Sequence, residues 1–250
     1  FFGEETLYPT RLSALIIPLA VVLYAPVSLG SEPIQDGVIQ ITSELPEEGL
    51  RLNGNWKFHW GSFLNVKQVA ADPDKTMLQM DSHLIPSRWE VPGPDGSTLP
   101  TPLHGKATYM LKLEFINGRH DKLSMIFPEV ASAYELWLID NHHEKFLGGG
   151  GRISKAGQPM IHHHQSQLFT LDTPKNGELF LVVHVEKRIG GSGGIISSPV
   201  VNTPHRTQVK WDSLALRSYF IMGLLVIAGL FHALLFWFRR SDQSNLYFSI

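Results

Sequence analysis

The chain has 250 residues, with 21 Lys and Arg against 23 Asp and Glu, a formal net charge of −2. It therefore has no basic surplus with which to hold a polyanion, and nucleic acid is excluded as a partner. It contains no cysteine, which removes disulfides, thiolate metal ligands and cysteine nucleophiles and leaves stability to packing.

In chain order, Arg11 precedes the apolar stretch Leu12 to Tyr24, which has the length of a signal-peptide core and is short for a spanning helix. Small residues at Ser28 and Gly30 are spaced for cleavage before Ser31. Residues 1–30 are read as a signal peptide or, given the acids Glu4 and Glu5, an uncleaved N-terminal anchor. Either one exports the middle of the chain.

From Ser31 the chain reads as strands and turns. Val38 to Thr42 alternates apolar and polar residues, as a half-buried strand does. Asn53-Gly54 is a turn signal, after which Trp56, Phe58 and Trp60 recur at period two and share one face, expected to be core. Residues 66–84 read as a polar insertion with a short helix. Residues 88–102 form a proline-rich crossing that a sheet centre would not accept. Further strands are expected at 107–115, 122–127, 133–139 and 179–185. Many short strands with turns between them predict an all-β antiparallel sandwich or jelly roll for residues 31–201.

Residues 202–217 are read as a linker. Ser218 to Phe238 then carries no Asp, Glu, Lys or Arg; as a helix it is about 31 Å long, the thickness of a bilayer's hydrocarbon core. Arg239 and Arg240 follow at once, so the positive-inside bias puts residues 239–250 in the cytoplasm and the sandwich outside. Leu246, Tyr247, Phe248 and Ile250 read as the opening of a second span. His232 is costly in lipid, and it and the Gly229/Ala233 pair predict a helix packed against protein partners.

Few residues suggest chemistry. Glu114, Glu129 and Glu135 form no evident pair, and Ser, His and Asp are too scattered for a triad, so no catalytic residue, metal or cofactor is expected. His162 to His164, with His142 and His143, lack a supporting carboxylate at ligand spacing and read as polar surface. The glycine runs 148–151 and 190–194 lack the Lys-Ser or Lys-Thr of a phosphate loop and read as turns at one rim of the sandwich. There Arg152 and Arg188 could grip a carboxylate or sugar hydroxyls. Trp89, beside Arg88, is the aromatic expected to be exposed and to stack on a sugar. The expected ligand-binding residues are Arg88, Trp89, Arg152 and Arg188.

Residues 52–61 (LNGNWKFHWG), Val91-Pro92-Gly93, Ala107-Thr108-Tyr109, Ser132-Ala133-Tyr134, the run 184–194 and the span with its Phe231-His232 and Arg pair together resemble one family. These segments are similar to the sensor and first membrane helix of bacterial seven-transmembrane receptors with diverse intracellular signalling modules. The resemblance implies a galactose-binding-like jelly roll that is periplasmic on an inner-membrane protein, with a carbohydrate or carboxylate ligand. It also implies six further spans and an output domain beyond Ile250, and it allows for a homodimer. A tethered carbohydrate-binding module, or an accessory domain of a family-two glycoside hydrolase with a similar Leu-Asn-Gly-x-Trp opening, are the alternatives.

Overall fold

A computed structural model describes residues 33–92, 98–100, 104–116, 122–130, 132–154, 158–161, 165–172, 174, 177–187 and 193–238. The N-terminal segment, His162 to His164, Arg188 and the residues after Phe238 lie outside the described residues, and with them the expected signal peptide, the histidine cluster and the cytoplasmic turn.

The elements are β1 (Val38–Thr42), β2 (Leu50–Arg51), β3 (Gly54–Trp60), α1 (Val66–Ala71), α2 (Pro73–Leu78), β4 (Asp81–Ile85), β5 (Glu90–Pro92), β6 (Thr98–Pro100), β7 (Gly105–Ile116), β8 (Lys122–Phe127), β9 (Ala133–Asp140), β10 (His143–Gly150), β11 (Gln167–Asp172), β12 (Glu178–Lys187), β13 (Val200–Asn202) and α3 (Pro204–Phe238). A seven-stranded sheet runs β10-β9-β12-β7-β3-β4, with β1 also on β7, and a four-stranded sheet runs β11-β8-β13-β2. Every pairing between these strands is antiparallel except β1 on β7. The expected antiparallel β-sandwich followed by a long apolar helix is thus the observed architecture. Among its described residues, the proline-rich crossing includes the small β5-β6 ribbon.

Period two decides what lies between the sheets. Tyr109, Leu111 and Leu113 of β7 point into one core with Leu136, Leu181 and Val183, and meet Leu123, Met125, Phe127 and Val201 from the facing sheet. The outward residues of the large sheet are covered as well. The insertion forms two helices, α1 capped by Asn65 and α2 by Asp72 with Pro73 at its first turn. Val66, Val69, Ala70 and Met77 lie on Met110, Ile139, Phe180 and Val182. This is why β12 carries the continuous apolar run Leu179 to Val183: both its faces are buried.

The pairing also defines two ends. Trp60 lies opposite Ala107, Ala107 opposite Val185, Val185 opposite Tyr134 and Tyr134 opposite Gly150, one row across β3, β7, β12, β9 and β10. At the other end Glu178 lies opposite Glu114 and His143 opposite Asp140. Lys145 and Asp172 join the two sheets there at 2.5 Å, and Asn202 lies opposite Ser124.

α3 leaves from that second end. The stretch 202–217, expected as a linker, is instead the end of β13 and the first turns of a helix of 35 residues, about 52 Å long. Asn202 accepts from Thr203 N and donates to Glu47 O, Arg206 donates to Leu45 O and Lys210 to Glu48 O, at 2.8 to 3.2 Å. Thr207 is buried. Beyond Arg217 the apolar side chains, among them Phe220, Leu225 and Trp237, are exposed. The helix is long and apolar enough to cross a membrane.

Candidate ligand-binding rim

The end opposite α3 gathers most of the residues singled out in the sequence. β3 ends there at Trp60, whose ring is 40% exposed. It stands edge-on to Trp89, with centroids 4.8 Å apart at 87°. Behind it Phe58 stacks on His83 at 4.6 Å and leans on Tyr109 at 4.9 Å.

Trp89 corrects the sequence reading. It is 3% exposed, and its Nε1 donates to the Tyr109 hydroxyl at 2.5 Å. Residues 87–89 pair with 193–195 through Ser87 N to Ile195 O and Trp89 N to Gly193 O, both 3.0 Å. A Cβ on Gly193 would lie 2.1 Å from the Trp89 ring, so Gly193 and Gly194, the described part of the glycine run expected at the rim, admit this indole by their lack of side chains. Arg88, between the two paired residues, is exposed. The exposed platform is therefore Trp60, which alternation alone assigns to the core.

Arg152 lies at the far end of the same row, next to Gly150 and Gly151. It exchanges both backbone hydrogen bonds with Ile161 at 2.9 Å, and its Nη2 donates to Pro159 O at 3.2 Å. Ile153 and Met160 pack on Ala133 and Phe63, so residues 151–154 and 158–161 form a strap over the outer face of the large sheet. Below it Glu186, 6% exposed, accepts from Ser154 N and Ser154 Oγ, each at 2.5 Å. Lys106 Nζ is 3.8 Å from Glu186 and sits over the Phe63 ring at 5.1 Å, which itself stacks on His184 at 4.8 Å.

Gly193-Gly194 thus pack on Trp89, which meets Trp60; Arg88 is the exposed neighbour of Trp89, and Arg152 stands across the rim. Arg188 lies outside the described residues and follows Lys187, the last residue of β12. Sequence reasoning missed Trp60 and Glu186. The available signals were that Trp60 is followed at once by Gly61-Ser62, where the strand stops, and that the charged pair Glu186-Lys187 closes a strand rich in apolar residues. Among the described residues no group of His, Asp and Glu converges to hold a metal. His142 instead pins the β9-β10 turn to α1 through Ala70 O at 2.9 Å.

Burial pushes the Tyr109 and Tyr134 hydroxyls well above the ordinary tyrosine value of 10.0; for Tyr109, hydrogen bonds with Trp89 and Ile195 oppose the shift without reversing it. Because the folded chain keeps protons that the unfolded chain releases, this stability is present below about pH 10. It is lost as pH rises above that, at about 1.4 kcal/mol per pH unit per tyrosine. The Tyr134 hydroxyl has no hydrogen-bond partner among the described residues. Tyr134→Phe is accordingly expected to be neutral or up to about 1 kcal/mol stabilising at pH 7 and to flatten the fall in thermal midpoint at pH values above about 10. Identical alkaline slopes for the two proteins would refute this.

No protein-family model and no curated protein sequence matches the chain. Among solved structures, a β-glucuronidase of Bifidobacterium dentium, in complex with coumarin-3-O-glucuronide, is similar at 16% identity and a TM-score of 0.38, over 60% of this chain and 22% of that one. A β-glucuronidase of Ruminococcus gnavus is similar at 12% and 0.40, over 60% of this chain and 28% of that one. A β-galacturonidase of Eisenbergiella tayi bound to galacturonate is similar at 14% and 0.35, over 61% of this chain and 24% of that one. The chain spans about a quarter of the length of these glycoside hydrolases, and at these scores they carry no assignment of family or activity.

Proposed function

We propose that the chain is the extracytoplasmic, ligand-binding part of a bacterial inner-membrane receptor. It binds a carbohydrate or small carboxylate at the rim carrying Trp60 and Arg88, and passes the bound state to the membrane through α3. The observation that carries this reading is the continuous helix. Among the described residues, the last of its hydrogen bonds to the sandwich lies at Lys210, about 12 Å along the helix from Ser218. A rigid helix converts a small tilt or rotation of the sandwich into movement within the bilayer, where a slack tether would dissipate it. The rim lies at the end away from α3, open to solutes.

Because the chain has no cysteine, single cysteines report on it cleanly. A cysteine replacing exposed Leu78 is expected to react with a membrane-impermeant maleimide on intact spheroplasts; protection would mean the opposite orientation. With spin labels at positions 78 and 213, a sugar that binds should change the distance distribution. Binding with an unchanged distribution would instead favour a tethered carbohydrate-binding module. Trp60→Ala should weaken binding of that sugar about ten-fold, the scale of a lost aromatic contact, while the thermal midpoint falls little because the ring is partly exposed. Undiminished affinity would place the site elsewhere.

A further inference from the structure

We infer that the strap is the anion-reading part of the rim: Arg152 takes a carboxylate of the ligand, and Glu186 is the positioning residue that holds Arg152 where it can do so. This rests on the rim reading and narrows its ligand to an acidic carbohydrate.

The two charges under and on the strap are met very differently. Glu186 is well satisfied, with two hydrogen bonds from Ser154 and Lys106 nearby. Arg152 is not. It is half-buried, its Nε is closed from solvent with no acceptor among the described residues, and its one side-chain hydrogen bond there is to the neutral carbonyl of Pro159. No carboxylate among the described residues pairs with it, although a partly desolvated guanidinium favours a counter-charge strongly. With Nε turned inward and Nη2 tied to Pro159, the remaining Nη N–H groups are left for a ligand. Their planar fork matches a carboxylate through parallel, charge-assisted hydrogen bonds. Lys106, on the adjacent strand end, adds positive charge to the same face.

Glu186 determines where this fork stands. It grips Ser154, two residues along the strap from Arg152, by both backbone and side chain, while Ile153 between them is buried on Ala133. Along the strand ends, Trp60 on β3 and Gly150 on β10 are four strand spacings apart, about 19 Å, and Arg152 follows Gly150 by two residues. A monosaccharide cannot reach both ends, whereas an acidic oligosaccharide can lie across the strand ends with a ring on Trp60 and a carboxylate on Arg152.

The test uses the intact chain in nanodiscs, titrated calorimetrically with tetragalacturonate and with the neutral cellotetraose. The wild type is expected to bind the acidic probe at least about ten-fold more tightly, the effect of a charged hydrogen-bonded pair. Arg152→Ala should bring the ratio close to one with neutral affinity unchanged, and Arg152→Lys should keep only part of it. Glu186→Ala should reduce the ratio similarly and speed amide exchange in 152–154. Glu186→Gln, which keeps an acceptor for Ser154 N–H, should retain most of the ratio, and Ser154→Ala an intermediate share, so the role remains testable if Glu186→Ala does not fold. Equal affinity of the wild type for both probes would overturn the acidic class and leave the rim sugar reading standing, while binding of neither would overturn both. A ratio preserved in Arg152→Ala would overturn the role of Arg152, and one preserved in both Glu186→Ala and Ser154→Ala that of Glu186.

Discussion

Replacing Trp89 by Ala is expected to unfold the sandwich or to cost it about 3–5 kcal/mol, the range for deleting a buried aromatic ring. Trp89 is held on several sides. Trp60 meets it edge-on, Gly193 and Gly194 are fitted to its ring, and its Nε1 bonds the buried Tyr109 hydroxyl. Truncation would leave a cavity and strip that hydroxyl of its donor. Urea unfolding followed by far-UV circular dichroism checks this, with Trp60→Ala as the comparison. The two tryptophans are in contact, yet only one is enclosed, so the partly exposed Trp60 should cost much less. A loss below about 1 kcal/mol for Trp89→Ala would contradict this enclosure.

Gly54→Ala should be comparably severe, at about 3 kcal/mol or more. Gly54 has φ +127°, and a Cβ there would lie 2.4 Å from the backbone N of Ile34 and 2.5 Å from its O. Ile34 is bonded on both sides of it, donating to Asn53 O at 2.9 Å and accepting from Asn55 N at 2.8 Å, so the clash is with a fixed main chain and no rotamer change relieves it. Gly61 separates the two causes. Its φ is +96°, but a Cβ there would have nothing within 4 Å of it, so Gly61→Ala should cost only the left-handed strain, about 1–2 kcal/mol. Equal losses for the two variants, measured by urea midpoint, would show that the approach of Ile34 is not what demands the glycine.

Gly54 also illustrates what a short motif leaves open. Asn53-Gly54 reads as a hairpin turn, and the same glycine instead opens β3 where another segment of backbone crosses it. The dipeptide announces an unusual backbone conformation; which neighbour exploits it depends on residues far away along the chain.

Local periodicity determined a good deal about this protein. The strand at 38–42 lies where alternation puts it and that at 122–127 where the turn clusters leave room for it, Tyr109, Leu111 and Leu113 share the core face, and an uncharged run after Arg217 is helical and apolar enough to cross a membrane. These features are set by side chains within a few residues of one another, through the pleat of a strand or the turn of a helix. Tertiary structure alone decided the rest. Period two says that Trp56, Phe58 and Trp60 share a face but not where the facing sheet ends, and that end leaves Trp60 exposed while the paired segments 87–89 and 193–195 enclose Trp89. Helices α1 and α2 cover a sheet face that composition left undefined. Residues 204–217, polar enough to read as part of a linker, are helical, and the carbonyls of Leu45 and Glu48, far back along the chain, hold its first turns, with that of Glu47 holding Asn202 just before them. Arg152 and Glu186 became one site for the same reason: burial and hydrogen bonding depend on which distant strands pair, and no local pattern contains that information.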